Sequence, residues 1–300
     1  MPITPGLMSY SYHLSWAEGT MTPERFMDRA AELGLRSTEW CHFPCHSPTQ
    51  VDWDQVHLLK GLADERGIRC QVSGFAPLLA EGEERRVLLG MVRAQLEVSR
   101  TIGAHQLRFD GMLNHRMRIG DQAPLDLCTD NLKRVVELGE EAGITLALED
   151  HMDFRAADFR HFLREIPSPR LAITLDTGNL LPVGEDSVAF AAEFSPQITN
   201  CHFKGVHYVF RDYGAVLTSG EPEHSIVDLR AILQILAACE HEVTVHIEVV
   251  AMESTDEDRL VGRYAGFLTG FLGEGGTDSA PPAATTAATV NLRGTNGSAV

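Results

Sequence analysis

The 300-residue sequence predicts one α/β domain, a single (β/α)8 barrel with a disordered C-terminal tail. Three observations predict it. Amphipathic helical segments and short apolar runs alternate eight times along the chain. Four helical segments end at a glycine with the next apolar run starting at once: AAELG-LRSTEW at Gly34, LADERG-IRCQVS at Gly67, VSRTIG-AHQLRF at Gly103 and GEEAG-ITLALE at Gly143. Glycine accepts the left-handed conformation that ends a helix, and an immediate strand makes the αβ half of a βαβ unit. No glycine-rich dinucleotide fingerprint follows the first apolar run, which disfavours a doubly wound sheet.

In chain order, strands are expected at 6–12, 36–41, 68–75, 104–109, 144–150, 171–176, 198–204 and 243–249. Helices are expected at 23–33, 52–66, 83–102, 129–142, 155–165, 186–194, 227–239 and 256–271. The first helix is the best marked, with Thr22 as cap, Pro23 in the first turn and Gly34 at the stop. An extended loop is expected at about 205–226, and a loop of that length in a compact domain is often functional. The barrel is assigned residues 1–272, close to the ~250 residues usual for this architecture. Segment 273–300 is rich in Ala, Thr, Gly and Pro. It has too little apolar surface to offset its ordering entropy, so disorder is expected there.

Composition narrows the function. A formal net charge of −17 repels phosphate backbones, so nucleic acid is not an expected partner. No polybasic run suggests a membrane surface, and no apolar run reaches the ~20 residues needed to span a bilayer. The amino terminus lacks the pattern of a signal peptide. Six scattered cysteines then read as reduced thiols, which predicts a cytoplasmic protein. CHFPCH at 41–46 imitates a metal or haem signature, but its cysteines are too far apart for haem attachment and no second pair completes a zinc site.

Four residues carry the chemistry. Glu149, Asp176, His202 and Glu248 close or nearly close the runs TLALED, LAITLD, ITNCHF and VTVHIEV. Side chains alternate along a strand. Glu149 therefore shares a face with Thr145 and Ala147, Asp176 with Ala172 and Thr174, His202 with Asn200, and Glu248 with His246. The greasier opposite faces belong against the helices. Strand carboxyl ends are where barrel enzymes place their chemistry. Three carboxylates and an imidazole at one point would repel and pay desolvation unless a cation sat among them. The mostly oxygen donor set favours Mn²⁺, with Mg²⁺ or Co²⁺ as alternatives, over a thiolate-type zinc site.

The motifs LALEDH, TLDTGN, CHFK and HIEV, in that order, resemble the xylose isomerase-like barrels, a family of sugar and sugar-phosphate isomerases, epimerases and inosose dehydratases. C-glycoside deglycosidase catalytic subunits resemble the pattern too. The resemblance spans about 1–272 and is firmest from 144 to 249. It implies that Glu149, Asp176, His202 and Glu248 bind one divalent metal at the barrel mouth. The chain departs from many members at Asn179, where they carry His, and at Gly205, where they carry Asp.

The expected activity is isomerisation or epimerisation of a small sugar or keto-polyol, by proton abstraction next to a metal-polarised carbonyl through an enediolate. The alternative is a lyase that expels a leaving group from the same intermediate. Glu149, Glu248 and His151 are the candidate acid–base groups. Asn179, Lys204, Arg211, His246, Glu39, His13 and Trp16 are candidate substrate contacts, with His246 one layer below Glu248. A carbohydrate is the expected small-molecule partner, and a homo-oligomer or partner subunit is possible on the family pattern.

Overall fold

The computed structural model describes residues 2–41, 50–111, 122–251 and 256–274. Strands β1 (Ile3–Met8), β2 (Ser37–Cys41), β3 (Arg69–Phe75), β4 (Gln106–Asp110), β5 (Thr145–Glu149), β6 (Leu171–Asp176) and β7 (Ile198–Phe203) belong to one closed barrel. The hairpin strands β8 (Val206–Arg211) and β9 (Gly214–Ser219) lie outside it. Strand β10 (Val243–Ile247) closes the barrel by pairing in parallel with both β1 and β7. The eight-strand parallel barrel expected from the sequence is therefore the fold.

Helices α1 (His13–Ala17), α2 (Pro23–Glu32), α3 (Trp53–Arg66), α4 (Gly82–Ile102), α5 (Gln122–Ala142), α6 (Ala156–Glu165), α7 (Ser187–Phe194), α8 (Leu229–Ala237) and α9 (Glu257–Gly273) run between and after the strands. Thr22 caps α2 by accepting from Arg25 N–H, with Pro23 in its first turn. Gly67 and Gly103 end α3 and α4 in the left-handed conformation. The apolar faces of the strands, including Leu146, Leu148, Ile173, Leu175, Val245 and Ile247, join the core beneath the helices. The inward faces carry buried polar residues instead, among them Thr174, Asn200 and His246.

Most element ends fall within two residues of expectation, and three larger differences stand out. The first strand begins and ends earlier, because Ser9–Tyr12 leave the ladder as a 3₁₀ turn. Ser11 ties that turn to the neighbouring strand end, its Oγ donating to Ile247 C=O and accepting from Val249 N–H. Helix α5 starts at Gln122 rather than 129. The long segment expected as a loop folds into the antiparallel β8–β9 hairpin, with Tyr208, Phe210 and Tyr213 exposed on it. Among the described residues no helix is long and apolar enough to cross a membrane.

Candidate metal centre

Strand register brings the four carboxyl-end residues together. Asp176 pairs in register with His202, and His202 with His246 two residues before Glu248. A one-residue bulge sets this phase. Between Ile173 and Thr174 the partner on β7 jumps from Ile198 to Asn200. Without that jump Cys201, whose side chain belongs to the helix-facing core, would stand opposite Asp176. The bulge re-aims His202 into the barrel, a use bulges commonly serve near sites.

One potential ligand atom from each of Glu149, Asp176, His202 and Glu248 falls within 4.8 Å of the other three, and all four residues are buried. His202 Nδ1 lies 3.1 Å from Glu248 Oε2 and 3.4 Å from Glu149 Oε1. Each residue also holds one buried atom without a well-formed hydrogen bond: Glu149 Oε2, Asp176 Oδ2, His202 Nδ1 and Glu248 Oε2. Glu149 Oε2 and Asp176 Oδ2 meet only the cations Arg108 and Lys204, and His202 Nδ1 and Glu248 Oε2 meet each other, so three carboxylates and an imidazole crowd one buried point, an arrangement that a cation among them relieves. Oxygens and one imidazole nitrogen at this spacing fit a divalent cation.

Two cations border the cluster. Lys204 Nζ lies 2.7 Å from Asp176 Oδ2 and 3.8 Å from Glu248 Oε2, and donates to Asn179 Oδ1 at 3.1 Å. Arg108, on β4, forms an ion pair with Glu149 and a second, at 3.2 Å, with Asp110. Asn179 completes the arrangement by donating to Glu149 Oε1 at 3.1 Å. Asp176 Oδ1 is occupied by the backbone N–H groups of Gly178 and Asn179, which leaves Oδ2 turned toward the cluster.

The electrostatics follow from this packing. Burial pushes the His202 imidazole toward neutrality, but the charges of Glu39 and Glu248 outweigh it and raise its pKa to about 10. A cation at the same point would supply that positive charge and displace the proton, as metal ligation generally does. Burial pushes Glu248 up, and Lys204 and His202 pull it below the usual carboxylate range. Asp176 is raised, by burial first, with Lys204 opposing. Asp150 is raised well above its ordinary value by burial and then by the Asp176 charge.

Beneath the cluster lies a second polar layer that sequence reasoning assigned differently. Glu39, expected as a substrate contact, is fully buried below His202. Its Oε1 lies 2.8 Å from His202 Nε2, while Oε2 accepts from Gln71 and Asn200, each at 2.9 Å, and meets His246 Nδ1 at 3.1 Å. No face of Glu39 is left for a sugar. His246 is equally enclosed between Ser37, Asn200 and Glu39, and the absence of a side chain at Gly6 makes room for its ring. It sits one layer down as expected, and that depth removes it from the substrate contacts.

The remaining calls separate by position. Trp16, partly buried, donates to Ser9 C=O and packs against Phe26 and Trp40 at the edge of the core. His13 stacks on Tyr10 and lies 3.6 Å from Glu257. His151 is half-buried just beyond Glu149, with a positive φ of 32° that an Asp150 side-chain bond to its N–H helps hold. Arg211 ends β8, and its side chain lies outside the described residues, as does most of the CHFPCH segment. At Gly205 a Cβ would collide with Tyr264 Oη, which accepts from Gly205 N–H and donates to Gly220 C=O.

Sequence reasoning missed Arg108, Asp150 and Tyr10. Arg108 was legible as an inward position on β4, in phase with Gln106 and Asp110. Asp150 follows Glu149 directly but was read only as a motif letter. Tyr10, partly exposed after β1, feels the Glu248 charge, which together with burial raises its pKa.

A family model described as a xylose isomerase-like TIM barrel matches residues 27–268. The chain belongs to this family. Solved structures share its fold at low sequence identity. An L-ribulose 3-epimerase superposes with a TM-score of 0.68 at 17% identity, covering 90% of this chain and 94% of that one. A probable 3-DHS dehydratase from Bacillus anthracis gives 0.68 at 13% identity, covering 89% and 98%. A xylose isomerase-like barrel protein from Mycobacterium smegmatis, in complex with magnesium, gives 0.63 at 14%, covering 88% and 95%. A comparison with curated proteins gives no match. At these identities the superpositions speak for the fold of this xylose isomerase-like barrel, and its chemistry rests on its own residues.

Proposed function

We propose that the protein is a divalent-metal-dependent isomerase or epimerase of a small sugar or keto-polyol. The observation that carries this reading is the buried cluster of Glu149, Asp176, His202 and Glu248, whose potential ligand atoms converge at the carboxyl ends of the barrel strands. A divalent ion held there supplies Lewis acidity, polarising a carbonyl and lowering the pKa of the adjacent C–H. Mn²⁺ suits the mostly oxygen donor set, with Mg²⁺ and Co²⁺ as alternatives.

The chain's own residues do the rest. The two glutamates are not equivalent. Glu149 is tethered by Arg108 and Asn179, whereas Glu248 is met by His202, Lys204 and Asp176 and keeps 8% exposure at the mouth. Glu248 is thus the better placed to take a proton from a substrate carbon. Glu149, tied to the Arg108 guanidinium, and His151 beyond it are the other acid–base candidates. Lys204 and Asn179, already polar partners of the cluster, are the nearest donors for substrate oxygens. The free thiols of Cys41, Cys70, Cys128, Cys201 and Cys239 fit a reducing cytoplasm.

A lyase is the second reading, because the dehydratase shares the fold as closely as the epimerase does. Both begin with the same proton abstraction. Incubation of the Mn²⁺-loaded protein in D₂O with ketoses, keto-inositols and 3-keto-glycosides separates them. Deuterium at the carbon next to the carbonyl of recovered sugar is the expected result. Release of water or an aglycone instead assigns the lyase. Activity that survives complete chelation contradicts both.

A further inference from the structure

We infer that Glu39 is the positioning residue of the metal centre: it takes the Nε2–H of His202 and so points the bare Nδ1 of that ring at the cation. The inference deepens the metal reading of the same site and rests on it. An ionised carboxylate only accepts hydrogen bonds. Glu39 Oε1 at 2.8 Å from His202 Nε2 therefore requires the proton on Nε2. Nδ1, on the other side of the ring, faces Glu248 and Glu149. A histidine that ligates a metal commonly gives its other N–H to a carboxylate, which fixes both tautomer and ring orientation.

What makes Glu39 more than one contact among many is how firmly it is itself held. Gln71 Nε2 and Asn200 Nδ2 donate to Oε2 at 2.9 Å, and His246 Nδ1 approaches the same oxygen at 3.1 Å. His246 is fixed in turn by Ser37 Oγ at 2.9 Å, and Gln71 Oε1 accepts from Gln106 at 2.7 Å. The carboxylate is fully enclosed. Contacts from β3, β7 and β10 thus converge on a single oxygen pair, braced in turn from β4 through Gln106 and from β2 through Ser37, and the bond toward the cluster is the one to His202. The layer transmits the rigidity of the barrel floor to one ligand.

The geometry makes Glu39→Gln an unusually informative variant. The amide has one oxygen to offer. Three donors demand it on the Oε2 side, so the NH₂ group turns to His202 Nε2. That donor can be met only by an unprotonated Nε2, which places the ring proton on Nδ1, where the cation belongs. The variant keeps the shape of the side chain and selects the wrong tautomer.

The test is titration of the purified full chain with Mn²⁺ by calorimetry, paired with the visible absorption spectrum of its Co²⁺ form. Glu39→Gln is expected to weaken Mn²⁺ binding by roughly 10–100-fold and to change the Co²⁺ spectrum, with far-UV circular dichroism unchanged. Gln71→Leu, which removes one brace from Glu39 without touching His202, is expected to weaken binding by a smaller factor. Wild-type protein that binds Mn²⁺ while Glu39→Gln binds within about twofold and shows an identical Co²⁺ spectrum overturns the inference and leaves the metal reading standing. If Glu39→Gln does not fold, unchanged affinity in Gln71→Leu overturns it. Wild-type protein that binds neither Mn²⁺ nor Co²⁺ overturns the metal reading, and the inference with it.

Discussion

Two polar layers lie one above the other inside this barrel, and they differ in a single respect. In the lower layer the side-chain polar atoms of Glu39, Gln71, Asn200 and His246 find hydrogen-bond partners among one another and in Ser37, Gln106 and His202. In the upper layer Glu149, Asp176, His202 and Glu248 are also buried, yet each keeps an atom that only charged neighbours meet, without a well-formed hydrogen bond. Both layers carry carboxylate and imidazole groups, so charge and burial do not tell them apart. Closure of the hydrogen-bond network does. A closed network is scaffold, whereas an open one at the strand ends is a site.

The sharpest way to break this contrast is to close the upper layer by mutation. Glu248→Gln, Glu149→Gln and Asp176→Asn are each expected to abolish metal-dependent turnover with the fold intact. Their loss of metal affinity should exceed the roughly 10–100-fold that an outer contact such as Glu39 is worth. Thermal melts with and without Mn²⁺ check this independently of any substrate. A ligand at a hundred times its Kd stabilises the native state by about 2.7 kcal/mol. The wild-type protein should gain that much, and the three variants little or none. A full gain in Glu248→Gln would contradict the assignment of this residue to the centre.

The next largest effect concerns the cation that compensates the upper layer. Arg108 stands between Glu149 and Asp110 and is almost fully buried. Arg108→Met takes the guanidinium away from both carboxylates. Removing one member of a buried pair typically costs about 3–5 kcal/mol, and urea unfolding is expected to show a loss of that order. Saturating Mn²⁺ should return part of it, because a second cation then neutralises Glu149. The corresponding loss without any recovery on adding metal would mean that Glu149 does not share in the cation site.

The upper layer was legible in the sequence and the lower one was not, for a physical reason. Glu149, Asp176, His202 and Glu248 each sit at the end of an apolar run, so strand alternation and the barrel rule were enough to gather them. Their convergence also needed the bulge between β6 and β7, which sequence periodicity does not reveal, although the motif was strong enough to survive that ignorance. Glu39 stands near the end of the second strand, in STEW, and the family resemblance therefore implies a substrate contact at the mouth. Its real depth depends on the stagger of β2 against β1 and β3, a property of closure and not of any one strand. The hairpin β8–β9 escaped because VHYVFRDYGAVLTS was read by its length rather than by its alternation across the Asp212–Tyr213 turn.

The smallest effect tests whether the upper layer carries a cost of its own. Asp150 lies immediately behind it, fully buried, with Oδ1 accepting from the N–H of His151 at 2.8 Å and of Asp176 at 3.4 Å. Burial, and then the Asp176 charge, raise its pKa well above the ordinary value. An acid whose pKa is raised in the folded state binds its proton more tightly there than in the unfolded chain. Stability is therefore lost as pH climbs from the unfolded value, near 4, toward the folded one. Asn in place of Asp150 keeps the accepting oxygen and has no charge to bury. In the presence of chelator, Asp150→Asn is expected to melt a few degrees above wild type at neutral pH (a gain of 1 kcal/mol is worth roughly 2–4 °C at this size). The gap should narrow as pH falls toward 4, where wild-type Asp150 is protonated in both states. A gap that stays constant with pH would place the gain in the hydrogen bonds of the amide instead of in relief of a buried charge.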